Sequence, residues 1–168
     1  MATNQSFDIT CGCDLQEVDN AVNQTNKELT QRYDFRGVEF ELRLERTDGK
    51  IVLTAPDKHK LEAVWDVLQS KLVRRSVPVR NLKRSDPQTG GGGIFRQDIA
   101  LQQGIPGDTA KKIVKFIKDK KLKKVQSSIQ QDQVRVTSPS RDSLQDVMGL
   151  LREEDFDLEL SFGNFRST

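Results

Sequence analysis

Apolar residues alternate with polar ones in short runs along this chain, and stretches with helical spacing separate those runs. The first half contains four alternating runs, at residues 6–11, 38–45, 50–55 and 77–83. Alternation of this kind predicts strands with one buried face. Helical spacing predicts one helix from its capping residue Asp14 to about Tyr33, and a second helix that Asp57 caps. The predicted order is β-α-β-β-α-β.

The second half gives the same order. Its alternating runs lie at residues 95–101, 125–129, 134–136 and 156–162. Asp108 and Ser140 are suited to cap the two intervening helices. This order is the split β-α-β arrangement of ferredoxin-like folds, in which the helices cover one face of a four-stranded antiparallel sheet.

One segment of the chain is repeated. LTAPDKHKLEAVWDVL begins at Leu53 and VTSPSRDSLQDVMGLL begins at Val136, a constant offset of 83 residues without a gap. A fixed offset indicates an internal duplication. We therefore predict an α+β protein that is a tandem duplication of a ferredoxin-like βαββαβ unit, with two antiparallel four-stranded sheets. The run Gly90 to Gly93 suggests a linker at residues 86–93, between domains at 1–85 and 94–168.

The residue inventory argues against an enzyme, a metal site and a bound cofactor. The one histidine, His59, has no second histidine with which to build a proton relay. Cys11 and Cys13 would lie on the same side of a continuing strand, but with few other ligands at hand we interpret them as reduced thiols. The lack of a disulfide framework and of any long apolar run favours a cytoplasmic protein with no membrane partner.

Positive charge is concentrated locally. Lys+Arg number 27 against 25 Asp+Glu, a net charge of only +2, which does not by itself indicate a nucleic-acid ligand. From Lys111 to Lys124, however, eight lysines accompany a single acid, Asp119. Four of them fall within about a third of the helix circumference, and we call these four the lysine ridge: Lys111, Lys112, Lys115 and Lys118. A polyanion contact is favoured over a merely solvated helix face, because few acids relieve the repulsion between these lysines.

A second cluster follows the first helix. Arg32 and Arg36 flank Tyr33 and Phe35, and guanidinium groups beside rings suit phosphate contact with base stacking. For the two rings themselves we favour burial in the core. RNA-recognition motifs share the predicted topology and stack bases on aromatic residues of the central strands. Residues 50–55 contain no aromatic residue, so that surface is missing here.

Several long segments resemble the YajQ family of bacterial proteins. They include SFDITCGCDLQEVDNAVNQTNKELTQRYDFRGVEFEL, RQDIALQQGIPGDTAKKIVKFIKDKKLKKVQSSIQQDQVRVT and the closing FGNFR, and the resemblance covers nearly the whole chain. It implies two ferredoxin-like domains that exchange their N-terminal strands, around residues 6–11 and 94–101. It also implies a cytosolic nucleotide-binding protein, with RNA and signalling nucleotides as candidate ligands. Within these motifs lie the candidate nucleotide or RNA contacts: Arg32, Arg36, Lys111, Lys112, Lys115, Lys118 and Arg166.

The leading interpretation is a non-enzymatic nucleotide- or RNA-binding protein that contacts phosphates through basic helix surfaces, in a groove between the two units. The alternative is a regulatory protein-interaction module. In that case a small signalling nucleotide, such as a cyclic dinucleotide, controls binding to a protein partner. Salt dependence distinguishes them, because contact through several lysines weakens steeply as salt rises.

Overall fold

The computed structural model describes residues 3–167, which form an α+β fold with two antiparallel sheets and four α-helices. The helices are α1 Leu15–Gln31, α2 Lys58–Arg74, α3 Gly107–Asp119 and α4 Arg141–Glu153. The strands are β1 Gln5–Thr10, β2 Glu41–Glu45, β3 Lys50–Ala55, β4 Leu82–Arg84, β5 Gln88–Thr89, β6 Phe95–Leu101, β7 Gln126–Gln130, β8 Gln133–Ser138 and β9 Ser161–Ser167. This confirms the fold class that the alternation and helical spacing predict.

The strand order shows that the two halves exchange their first strands. One sheet has the order β7-β8-β1-β9, and the other has the order β2-β3-β6-β4 with β5 added beside β6. In the first sheet Phe7 of β1 lies opposite Val136 of β8, and in the second Ile99 of β6 lies opposite Ile51 of β3. The second sheet has five strands rather than the predicted four, because Gln88–Thr89 pairs with the start of β6.

Each sheet belongs to a compact unit of its own. One unit joins the N-terminal segment up to Gly12 with the residues from Gly104 onward, and the other runs from Cys13 to Gln103. In each unit two helices pack on the sheet face that carries the apolar side chains. Residues 86–93, which the sequence suggests as a linker, lie within the Cys13–Gln103 unit.

The repeat seen in the sequence is also present in the element boundaries. β3 begins at Lys50 and β8 at Gln133, and α2 begins at Lys58 and α4 at Arg141, so both pairs are 83 residues apart. The helix caps follow the same spacing. The side chain of Asp57 accepts from the backbone N–H of Lys60, and that of Ser140 accepts from the N–H of Ser143.

One predicted helix cap is wrong. The residue that precedes α3 is Pro106, and no side chain caps this helix, so Asp108 lies inside its first turn. Pro106 itself occupies the capping position, and its carbonyl oxygen accepts from the backbone N–H of Ala110 at 2.9 Å. The Asp108 carboxylate still stabilises this end through the helix dipole, since negative charge is favourable near an N-terminus.

Three predicted strands are shorter or shifted in the structure. β2 begins at Glu41 rather than at residue 38. Glu41 lies opposite Thr54, and the partner strand β3 ends one residue later, so it offers no pairing partners for residues 38–39. The run at 77–83 instead forms a short 3-10 helix, Val79–Asn81, before β4. β9 covers Ser161–Ser167 rather than residues 156–162. The positive φ of Asp157, 61°, interrupts the extended backbone there, and Leu158 is buried from a loop.

Candidate nucleotide-binding surfaces

The lysine ridge lies on the outer side of α3. Ala110, Ile113 and Ile117 of this helix are buried in the core of their unit. All four ridge lysines are exposed, and none forms an ion pair with a carboxylate of residues 3–167. The helix is therefore anchored on one side and presents unneutralised ammonium groups on the other, as its spacing predicts.

The surroundings of the ridge differ between its two sides. Lys112 and Lys115 line a cavity of about 360 Å³ together with four acidic residues, which are Asp119, Glu154, Asp155 and Asp157. The loop that carries three of these acids is held beside α3 by an edge-to-face contact between Phe116 and Phe156, whose ring centroids are 5.6 Å apart. An anion that approached Lys112 and Lys115 would meet these carboxylates, so this side of the ridge is the less favourable one.

The cavity beside Lys118 has a different lining. Lys118 lines a cavity of about 470 Å³ with Lys121, and the described residues of this lining include no carboxylate. The floor is apolar, formed by Val114, Ile117, Leu122 and Val125. Sequence reasoning missed Lys121 because it follows the end of α3. Its position in the lysine-rich segment 111–124 is the signal that could have found it.

The two arginines of the second cluster have partners nearby. Arg32 follows the last turn of α1 and donates from both Nε and an Nη to the carboxylate of Asp34, at 2.9 and 2.7 Å. The hydrogen bond from Arg32 holds the pKa of Asp34 below its usual value. The guanidinium of Arg36 lies 5.8 Å from the ring centroid of Tyr33. Arg32 is therefore already neutralised locally, whereas Arg36 stacks against a ring.

The prediction that both rings of this cluster are buried in the core is confirmed for Phe35 and wrong for Tyr33. Phe35 is buried, but Tyr33 is 86% exposed. The two residues belong to a short 3-10 helix, Tyr33–Phe35, and they stand two positions apart in it. At about 120° per residue they point in different directions, so only one of them can face the core.

Arg166 lines a cavity on the surface of its unit. It lies in β9, and its Nε donates to Asn164 Oδ1 at 3.3 Å. The cavity has a volume of about 550 Å³. Its other lining residues are Gln5, Ser6, Arg141, Leu144, Gln145, Met148, Phe165 and Ser167. Sequence reasoning missed Arg141 and Phe165, although FGNFR contains the latter, because β1, α4 and β9 are far apart in the chain.

The predicted contacts are therefore divided among separate surfaces. The four lysines share one helix, while Arg166 lines a different cavity of the same unit. Arg32 and Arg36 belong to the Cys13–Gln103 unit.

A buried carboxylate lies close to Arg166. Asp8 of β1 accepts from Arg135 Nε at 2.9 Å and from Asn164 Nδ2 at 2.6 Å. The Arg135 hydrogen bond, opposed by burial, lowers the pKa of Asp8 below its ordinary value. Asp8 is therefore ionised near neutral pH, and it is engaged by its own partners.

The cysteines occupy two different cores. Both cysteines are buried as reduced thiols. Cys11 packs in the core with Phe7 and Ile9, whereas Cys13 packs in the core with Val18. A shared side for the two sulfurs requires a strand that continues through Cys13. β1 instead ends at Thr10, and the chain passes from one unit to the other between the two cysteines. Among residues 3–167, no group of three or more His, Cys, Asp or Glu side chains could hold a metal ion.

The fold and these surfaces define a protein of two ferredoxin-like units with exchanged strands and exposed basic patches. The family described as nucleotide-binding protein YajQ-like matches residues 5–166, and the chain belongs to it. This confirms the resemblance seen in the sequence.

Relatives match over nearly their full lengths. A nucleotide-binding protein of Koribacter versatilis (strain Ellin345) is 47% identical over 167 residues, which cover 99% of each chain. One from Heliobacterium modesticaldum (strain ATCC 51547 / Ice1) is 48% identical, covering 99% of this chain and 100% of the relative. One from Magnetococcus marinus (strain ATCC BAA-1437 / JCM 17883 / MC-1) is 51% identical, covering 96% and 98%.

Across the described part of the chain, every helix is too short or too polar to cross a membrane.

Proposed function

We propose that this chain is a non-enzymatic nucleotide-binding protein that contacts the phosphates of RNA through the lysine ridge. The proposal rests on one observation: a helix whose apolar side is fixed in the core presents, on its outer side, lysines without carboxylate partners in the described part of the chain. α3 is fixed by Ala110, Ile113 and Ile117, and its four exposed lysines have no carboxylate partner among residues 3–167. The names of the relatives, all nucleotide-binding proteins, support a ligand of this class.

The chemistry favours a polyanion over a single small anion at this helix. Neighbouring lysines repel one another, and a chain of phosphates relieves that repulsion at several positions at once. Binding of this kind releases condensed counterions, so its affinity falls steeply with salt. It needs neither a metal nor a general base, which agrees with a non-enzymatic role.

The test pair is Lys111→Gln with Lys118→Gln. Lys118 lines the cavity whose described lining has no carboxylate, and neither lysine lines the cavity with the four acids. Binding of a labelled RNA hairpin, followed by fluorescence anisotropy, should weaken in the double variant. The slope of log affinity against log salt should flatten by about 1.8 if both lysines contact duplex phosphates. Thermal stability should barely change, since exposed charges contribute little to it.

A matched control removes the same charge elsewhere. Lys27 and Arg74 are exposed on α1 and α2, and their double change to glutamine should leave the slope within experimental error of the wild type. Lys112→Gln with Lys115→Gln should have a smaller effect than the test pair, because these lysines adjoin four carboxylates. If the test pair binds RNA with unchanged affinity and slope, the ridge is a solvated surface, and Arg36 beside Tyr33 becomes the next surface to test.

A further inference from the structure

The cavity beside Arg166 has a composition that the lysine ridge does not share. It combines two arginines, Arg141 and Arg166, with an exposed aromatic ring and two side-chain amides, and among the described residues its lining includes no carboxylate. Both arginines are exposed, so their guanidinium groups are open to a ligand. Within residues 3–167, the Arg166 side chain donates one hydrogen bond, from Nε to Asn164 Oδ1 at 3.3 Å. The carboxylate of Asp8 lies close to Arg166 outside this lining, and it is engaged by Arg135 and Asn164. The lining itself carries two positive charges and suits an anion with an apolar part.

Phe165 supplies the apolar part of the site. Its side chain is 63% exposed, yet its ring packs against the buried Phe7, with centroids 6.1 Å apart and an interplanar angle of 36°. One region of the ring is thus held by the core while another faces solvent. Below it, Leu144 and Met148 form a buried apolar floor. A ring that is fixed in place and open to solvent can stack with a planar base at little entropic cost.

The side chains come from three elements of one unit. Gln5 and Ser6 come from β1, Arg141 and Gln145 from α4, and the remaining polar groups from β9. β1 pairs directly with β9, so the positions of Ser6 and Arg166 are fixed opposite one another in the sheet. A site on paired strands and a capped helix is more rigid than one on loops.

We infer that this cavity binds a free nucleoside monophosphate, with the base stacked on Phe165 and the phosphate held by Arg141 and Arg166. The volume of about 550 Å³ lies in the range of small-molecule sites and suits a single nucleotide. A phosphate monoester carries a charge of about −1.5 to −2 near neutral pH, which the two guanidinium groups match. An internal phosphodiester of RNA carries only one negative charge, so the terminal phosphate of a free nucleotide is the better partner. Gln5 and Gln145 can donate to and accept from the edge of a base.

This inference goes beyond the proposed function, because it uses different residues and a different ligand. The ridge binds a strand through several phosphates, whereas the cavity takes one nucleotide. Each can therefore fail without the other.

Isothermal titration calorimetry of the full chain with AMP and with GMP tests the inference. Saturable binding is expected for at least one of them, and adenosine, guanosine and inorganic phosphate should each bind at least tenfold more weakly than the matching nucleotide. Arg141→Gln should weaken nucleotide binding about tenfold, equivalent to about 1.4 kcal/mol. Phe165→Leu should weaken it about fivefold to tenfold through lost stacking. The ridge variant Lys111→Gln with Lys118→Gln should bind the nucleotide like the wild type.

Several results would overturn the inference. The inference fails if the wild type binds neither AMP nor GMP. It also fails if Arg141→Gln binds the nucleotide with unchanged affinity. If the ridge variant loses nucleotide binding, the nucleotide binds at α3 and not in this cavity. Arg141 is exposed and makes no ion pair with residues 3–167, so its substitution should not disturb folding, which thermal unfolding checks. Loss of hairpin binding in the ridge variant with retained nucleotide binding supports both sites. Unaltered hairpin binding with retained nucleotide binding rejects the ridge alone.

Discussion

Asp8 shows why the polarity of a residue does not reveal its surroundings. The alternation of β1 places Ser6, Asp8 and Thr10 on the polar face, yet Asp8 is only 4% exposed. Among residues 3–167 it is the only Asp, Glu, Lys or Arg that is buried. Its partner Arg135 lies directly opposite on β8, 127 residues away in sequence. Alternation can predict which face is polar, but not that distant residues will cover that face.

Replacing Asp8 with asparagine should destabilise the protein by about 1.5–3 kcal/mol near neutral pH, the range for hydrogen bonds to charged groups. The folded-state pKa of Asp8 is lowered, so its stabilising contribution is fully present above the unfolded value of about 3.9 and is lost as pH falls through the folded pKa. The difference in free energy of unfolding between wild type and Asp8→Asn, measured in urea, should therefore shrink at acid pH.

The exposed Asp66→Asn, in the middle of α2, serves as control, and its free energy of unfolding should differ little from that of the wild type at both ends of the pH range. The ion pair between Asp8 and Arg135 would be contradicted if wild type and Asp8→Asn differed by the same free energy of unfolding at neutral and at acid pH.

At the scale of elements, the sequence predicts helices better than strand ends. Helical spacing within α3 is local, so the buried stripe of Ala110, Ile113 and Ile117 could be predicted, and with it the lysine ridge. The acids beside Lys112 could not, because the loop at 154–157 reaches α3 only through tertiary packing of Phe116 and Phe156. Strand ends likewise depend on the length of the partner, which no local pattern contains.

The segment with four glycines makes a second prediction at this scale. Gly92 has φ of +72°, with nothing within 4 Å of an added Cβ, and Gly91 has equal space but no positive φ. Gly92→Ala should therefore cost about 1–2 kcal/mol through backbone strain alone, whereas Gly91→Ala should be neutral or slightly stabilising. Urea unfolding of the two variants measures this. Equal stabilities would show that the segment adopts no fixed conformation in solution.

At the scale of the whole molecule, the exchange of strands decides which parts of the chain can fold alone. The fragment 13–103 contains every strand of the sheet β2-β3-β6-β4 and both helices that pack on it. A fragment 1–85 lacks β6, which pairs with both β3 and β4 in this sheet. The repeat and the alternation predict the two units, but the pairing partners of β1 and β6 followed only from family resemblance.

We therefore expect fragment 13–103 to unfold cooperatively in urea, and fragment 1–85 to show no cooperative transition. Without β6, β3 stays paired with β2 but its other edge is unpaired, and β4 loses its partner. The apolar side chain of Ile99 is also missing from the core. Circular dichroism and tryptophan fluorescence of the buried Trp65 report both cases. A sharp transition in fragment 1–85 would contradict the structural role of β6.

The position of β1 also constrains how the protein is made. In the finished sheet Ser6 lies opposite Thr137 and Arg166, which leave the ribosome long after it. At roughly 5–20 residues per second, β1 waits roughly 8 to 30 s for β9. During this interval the Cys13–Gln103 unit can complete its sheet, while Phe7 and Ile9 stay unburied at the front of the nascent chain. The exchange thus imposes an order of assembly in which the first strand made is among the last to be placed.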